Sequence, residues 1–212
     1  KGIENSFNSM FGDFATNSVF ISGSRTSMPF KGFQEGRQIK LTTRDVDLIR
    51  SEIKGIQFVV PRNATGGQVT NGFKTGNFTV FGDFPLLDKV QKKKLTDGRF
   101  LNQKDINENR KVCVISDGIY KELFDKDEEA VGTYLKVSNI SYQVVGVYKS
   151  GRFEGKNNLH IPFSTFKLVY NQGDKFQWMV VTGKQEFDIV QVEADVKLLL
   201  KNIHNIHPED NR

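Results

Sequence analysis

Residues 204 to 210, HNIHPED, place two histidines three positions apart, with a glutamate and an aspartate just beyond them. Imidazole and carboxylate are donors that a divalent cation takes, so His204, His207, Glu209 and Asp210 form a candidate metal cluster. The spacing is loose, and Pro208 breaks any helix that would hold the four on one face. Residues 112 to 124, VCVISDGIYKELF, raise a second question. An apolar run, a Ser-Asp-Gly corner and an amphipathic start are the strand, turn and helix that cradle phosphate in many nucleotide-binding proteins. The fingerprint is incomplete. A dinucleotide turn needs GxGxxG and a P-loop needs GxxxxGK[ST], whereas this corner has only Gly118. Ser116 or Asp117 therefore reads as an ordinary helix N-cap.

The remaining reactive types stand apart from one another. Cys113 lies between Val112 and Val114, where a thiol behaves as a small hydrophobe and its pKa is raised. It is the only cysteine, which forbids an internal disulfide and a multi-cysteine zinc site. His160 stands alone before IPF and reads as structural. Asp127, Glu128 and Glu129 share a polar, loop-like segment, so no acid and base in distinct environments can be assigned. Lys92 to Lys94 form a short basic run without interleaved aromatics, the mark of a solvated charged face. Thirty basic against twenty-five acidic residues give a net charge of +5, and nucleic-acid binding is not expected. These observations predict no catalytic, cofactor-binding or metal-binding residues, no cofactor, and a chain that is not itself an enzyme.

The elements that carry these residues follow from periodicity and punctuation. KGIENSFNSMFGDF places Ile3, Phe7, Met10, Phe11 and Phe14 on one helical face. SVFIS, 18 to 22, is a strand, and a glycine-containing loop follows. Thr42 as N-cap, Asp45 in the first turn, the shared face of Val46, Ile49 and Ile53, and Gly55 at the end define a helix. IQFVV is a buried strand expected to end at Pro61, and residues 63 to 82 form a hairpin. From Leu86 to Asp97 the chain turns basic and helical or irregular, and GRFLNQKD opens a second unit. VCVIS is a strand and DGIYKELF a helix. TYLKVSNISYQVVGVY gives two strands about a turn at Ser138 to Ile140, and HIPFSTFKLVY leads out. WMVVT, 178 to 182, is a further strand. The last element runs from about Asp188 to His204, with Ile189, Val192, Val196, Leu199 or Leu200, and Ile203 in one apolar stripe.

With 212 residues, 37% hydrophobic and 26% charged, the chain is globular, and 18 phenylalanines carry much of its core. No apolar run approaches the roughly 18 to 20 residues that span a bilayer, and no signal-peptide core is present at the start. A start at Lys1 without Met and a charged end at Arg212 are expected of a segment excised from a longer membrane protein.

Several ordinary pieces become specific through their order and spacing. GRF (98 to 100), Asp105, VCVIS, LF (123 to 124), VGTYLKV (131 to 137), YQVVGVY (142 to 148) and IPFSTF (161 to 166), together with LTTRDVDLIRSEIKGIQFVVP, VFGDFP and LLLKNIHNIHPED, resemble the periplasmic core domain of MacB-type ABC transporter permeases (the MacB, FtsX and LolC-like superfamily). The resemblance covers essentially the whole chain. It implies an α+β, two-lobed extracytoplasmic domain between two transmembrane helices, on the periplasmic side of the bacterial inner membrane. A Porter-like lobe would come from residues 1–88 and 174–212, and a Sabre-like lobe from residues 95–168. Implied partners are a cytoplasmic ABC ATPase acting through the membrane part, a periplasmic adaptor with an outer-membrane channel, and a second subunit in a homo- or heterodimer. The implied function is transmission of ATP-driven movement. The family includes efflux pumps, lipoprotein-releasing complexes and regulators of cell-wall enzymes, and the sequence does not choose among them. A stand-alone periplasmic interaction module and an enzyme with an unfamiliar site remain as alternatives.

Overall fold

The computed structural model describes residues 17–151 and 155–211. The expected helix of residues 1 to 14 lies outside them. The chain divides into two compact units: Asn17–Arg62 with Gln172–Arg212, and Asn63–Asn171. Mixed strands and helices in both give an α+β protein.

In the terminal unit, β1 (Ser18–Ser22) pairs antiparallel with β11 (Trp178–Gly183), which pairs antiparallel with the first part of β3 (Ile56–Asn71). A short pair joins β2 (Leu41–Thr42) to β10 (Lys175–Phe176). Helix α1 (Thr43–Glu52) packs against α6 (Ile189–Ile203), as the matching apolar stripes require. Val46 and Ile49 of α1, and Val192, Val196 and Leu200 of α6, are buried. Four-residue repeats of this kind place side chains on one face, and burying that face is what makes a short helix stable in water.

The strand expected to end at Pro61 continues to Asn71. Arg62 accepts a hydrogen bond from the Gln177 backbone N–H, so its polar groups face β11. Backbone groups alternate sides along a strand, so Pro61, paired with Met179, directs its missing N–H away from that ladder. Proline therefore interrupts nothing on the β11 side.

In the inserted unit the second part of β3 forms a hairpin with β4 (Lys74–Asp83), turning at Gly72 with φ +57°. Strand β4 runs parallel to β9 (Asn158–Pro162), and β9 runs antiparallel to β6 (Val112–Ser116). Next comes β8 (Ile140–Lys149), parallel to β6, which also pairs with β5 (Lys94–Gly98) and β7 (Tyr134–Val137). Strand β7 returns to β3 through Val69 and Val137, so the ladder β3-β4-β9-β6-β8-β7 closes on itself. Closure leaves few exposed edges for unwanted pairing. Ser138 and Asn139, with φ of +48° and +69°, make the two-residue turn between β7 and β8. The sequence had left HIPFSTFKLVY unassigned; it forms β9 and α5 (Phe163–Val169).

The core of this unit includes Val69, Phe78, Val80, Cys113, Ile115, Ile119, Leu123, Leu135, Tyr142, Leu159 and Phe166. Residues 63 to 83 thus pack with the inserted unit, where the sequence expectation grouped them with the chain ends. The reason is physical: Val69, Phe78 and Val80 point into this core. Cys113 is fully buried, and burial pushes its thiol up. Tyr142 is also fully buried, yet its hydroxyl has no hydrogen-bond partner among the described residues. An unmade buried hydrogen bond is a liability of about 1 to 3 kcal/mol. Tyr142→Phe is therefore expected to leave stability unchanged or raise it by about 1 kcal/mol. Urea unfolding measures this, and a clear loss of stability would reveal a working hydroxyl contact.

Candidate functional site

Helix α6 begins at an Asp188 cap, whose carboxylate accepts from the Val190 N–H at 3.0 Å. At its other end the HNIHPED segment takes over. His204 is the C-cap, Asn205 adopts the left-handed conformation at φ +49°, and the Ile206 N–H reaches back to the Lys201 carbonyl at 2.8 Å. The Asn205 N–H bonds the Asn202 carbonyl, completing a Schellman motif. Asparagine tolerates the left-handed region better than most residues, which accounts for its place here.

The candidate ligands of HNIHPED do not converge on one point. His204 Nε2 lies 3.1 Å from Asp45 Oδ2, on the first turn of α1. The Arg37 guanidinium donates to the His204 carbonyl and, at 2.9 Å, to the Asn205 carbonyl, placing a cation on the negative end of α6. His207 Nδ1 accepts from the Glu209 N–H at 3.2 Å, and its ring meets Phe30 edge-on at 5.3 Å. Asp210, 1% exposed, accepts from the Ser27 N–H and hydroxyl, both at 2.7 Å, and from the Met28 N–H at 3.3 Å. Glu209 is exposed. The segment ties the end of α6 to α1 and to the loop of residues 27 to 37. Among the described residues no group of three or more His, Cys, Asp or Glu side chains could hold a metal ion.

Asp45 is the pivot of this clasp. It is 2% exposed and accepts from the Thr42 N–H at 2.7 Å and the Thr42 hydroxyl at 3.2 Å, in addition to His204. Burial alone would raise its pKa, but the hydrogen bonds from His204 and Thr42 and the charge of His204 outweigh it and hold the carboxyl below its ordinary 3.8. A depressed carboxyl stabilises the fold fully above its unfolded value, and that contribution fades as pH falls through the folded one. Unfolding of Asp45→Asn is accordingly expected to lose part of the wild-type decline in stability below about pH 4, measured as urea midpoint against pH. An identical acid limb in both proteins would contradict this.

The Ser-Asp-Gly corner is filled by the chain itself. Ser116 donates its hydroxyl to the Lys156 carbonyl and caps α4 (Asp117–Leu123) at the Ile119 N–H. Asp117 accepts from the Ser150 N–H at 3.0 Å and from Lys121 at 3.1 Å. A Cβ on Gly118 would stand 2.1 Å from the Lys156 carbonyl oxygen. The glycine admits the protein's own backbone at the place where a phosphate would need to sit.

His160 is not alone, although nothing around it in sequence says so. Its Nδ1 lies 2.7 Å from Asp83 Oδ2 and its Nε2 3.0 Å from the Tyr148 hydroxyl, all three fully buried. Lys93, just past α2 (Leu87–Val90), donates to Gln91 at 3.1 Å and stands 5.1 Å from the Tyr148 ring centroid. At 3% exposure it corrects the expectation of a solvated Lys92 to Lys94 face. The parallel β4 and β9 register, which sets Phe81 opposite His160 and Asp83 opposite Pro162, brings these groups together. Complete burial denies them substrate, so their chemistry is structural: a staple across β4, β8 and β9. A second staple is Asp105 of α3 (Gln103–Asn107), held by Arg99 at 2.6 and 3.0 Å and by Arg110 at 3.5 Å. Asp127, Glu128 and Glu129 are exposed, and the Glu128 carboxylate accepts from the Asp125 N–H at 2.7 Å.

The clasp secures the point where the chain leaves α6. Comparison with known proteins supplies the context. The family described as "MacB-like periplasmic core domain" matches residues 1–199. The macrolide export ATP-binding/permease protein MacB of Bdellovibrio bacteriovorus is 24% identical over 82% of this chain and 27% of its own length. The pyoverdine export ATP-binding/permease protein PvdT of Pseudomonas syringae pv. tomato is 24% identical over 73% of this chain and 24% of its own. The chain thus spans about a quarter of the length of these relatives. Among solved structures, the periplasmic region of MacB from Actinobacillus actinomycetemcomitans superposes with a TM-score of 0.76 at 23% identity, covering 92% of this chain and 88% of that one. The extracellular domain of the transporter YknZ from Gram-positive bacteria gives 0.77 at 17% identity, covering 90% and 96%. Fold, segment order and family match agree, and the chain belongs to the MacB-like periplasmic core domains, the extracytoplasmic part of ABC transporter permeases.

Proposed function

We propose that this chain carries ATP-driven movements of a permease's transmembrane helices to substrate or partner proteins outside the cytoplasm. The observation that supports it most is the clasp, in which four contacts of HNIHPED anchor the end of α6 to α1 and to the 27 to 37 loop. An end meant only as a tether would not need such fixing. A 15-residue helix rises about 1.5 Å per residue and is stiff over that length, so displacement at its end moves the unit as a body. In this reading the terminal unit is the Porter-like lobe and the inserted unit the Sabre-like lobe. The full-length protein sits in the bacterial inner membrane, works as a homo- or heterodimer with a cytoplasmic ATPase, and engages a periplasmic adaptor and outer-membrane channel. The domain itself contributes no catalysis.

A short flexible Gly-Ser insertion after Phe14 in the intact transporter tests this. Hydrolysis of ATP should persist while transport falls sharply. Unimpaired transport would mean that the domain is a docking site and transmits nothing.

A further inference from the structure

Within the terminal unit a groove of about 320 Å³ opens beside α6, between that helix, β1 and the segment from Ile39 to Leu41. Its lining is mixed: Phe20, Ile39, Leu41 and Ile206 supply apolar groups, and Ser22, Ser24 and Asn211 polar ones. Lys197 and Lys201, one helical turn apart on α6, complete it. The one acidic side chain lining it, Asp210, is 1% exposed and turns both carboxylate oxygens to Ser27 and Met28. Two cations thus border the groove, and among the described residues Asp210 is the one acidic side chain in its lining.

Each lysine retains capacity for a ligand. Lys201 donates one hydrogen bond to the Pro208 carbonyl at 2.7 Å, which fixes its position, and an ammonium has three donors. Lys197 pairs with Glu193 at 2.6 Å, an exposed helical pair of a kind that contributes little and exchanges readily. The volume stands near the lower end of the roughly 300 to 1,000 Å³ typical of small-molecule sites.

We infer that this groove binds a compact single-tailed anionic amphiphile, its chain laid on Phe20, Ile39, Leu41 and Ile206 and its acidic head between Lys197 and Lys201. Such a ligand bridges α6 to β1, so it would stiffen the unit next to the clasp. The inference stands on the groove alone and does not depend on movement being transmitted.

The test uses three ten-carbon probes below their micellar concentrations: decanoate, decyltrimethylammonium and decyl maltoside. Amide spectra of the isotopically labelled chain are followed during each titration. Decanoate is expected to shift Gly23, Ser24, Ile39 and Asn211 saturably, with the cationic and neutral probes at least fivefold weaker. The double variant Lys197→Gln, Lys201→Gln, with an unchanged unfolding midpoint, should lose at least fivefold in decanoate affinity. Equal binding of all three probes, shifts mapping elsewhere, undiminished affinity in the double variant, or no saturable shift would each overturn it.

Discussion

Replacing Asp105 by alanine is expected to lower the stability of the chain by about 3 kcal/mol, the scale seen when one partner of a buried ion pair is removed. Asp105 is fully buried and serves four donors: two from the Arg99 fork, one from Arg110 and the Asn102 N–H at 2.9 Å. It also completes the α3 cap, because its own N–H bonds the Asn102 side chain at 3.0 Å. Burial would raise its pKa, yet these partners, Arg99 first, hold it below the ordinary 3.8. The loss belongs at the lower end of the range for such pairs because Arg99 and Arg110 are 39% and 41% exposed and can turn to water. The neighbouring geometry leaves no slack. Gly98 has φ +67°, and a Cβ there would lie 2.3 Å from the Val145 carbonyl, while one on Gly146 would lie 2.1 Å from the Arg99 carbonyl. Arg99 is thus fixed by backbone contact on both sides before it meets Asp105. Equilibrium unfolding in urea of Asp105→Ala and Asp105→Asn decides the matter. Asparagine should recover part of the loss by keeping the cap, and a loss under about 1 kcal/mol in the alanine variant would show the bridge to be incidental.

How much of this was legible beforehand depended on the range of the interactions. The strands VCVIS and WMVVT, the capped helix after Thr42 and the stripe from Ile189 to Ile203 were readable because periodicity and capping act within a few residues. Pro61 misled because its effect depends on which side of β3 carries a partner, a fact of pairing and not of sequence. The hairpin expected over residues 63 to 82 was readable as a hairpin, but the core it joins was not. Its partner β9 lies some 80 residues away, at Asn158–Pro162. The same distance hid the His160 staple: Asp83 and His160 are 77 residues apart. Lys93 looked like its neighbours in a basic run but is buried beside Tyr148 and Gln91. HNIHPED was noticed as a candidate metal cluster and set aside, but its structural role was not readable. His204, His207 and Asp210 are positioned groups, but their partners, Asp45, Phe30, Ser27 and Met28, lie more than 150 residues upstream.

The second large effect concerns coupling. In the full-length transporter, His204→Ala removes the only side-chain bond described between His204 and α1, the one to Asp45 Oδ2, while the Arg37 contacts, which use backbone carbonyls, remain. The unit should therefore stay folded with the proposed lever loosened. Glutamine at 204 carries an N–H donor that can replace Nε2, so His204→Gln should retain the tie. The coupling between two sites of a protein is typically 1 to 3 kcal/mol, and losing such a coupling changes a linked process on the order of tenfold or more. The most direct measurement is the ratio of substrate transported to ATP hydrolysed in reconstituted wild type, His204→Ala and His204→Gln, with the unfolding midpoint of each checked alongside. The ratio is expected to fall on the order of tenfold in the alanine variant, with ATP hydrolysis retained, and to recover in the glutamine variant. An alanine variant that folds and transports with the wild-type ratio would contradict the clasp as the path of transmission.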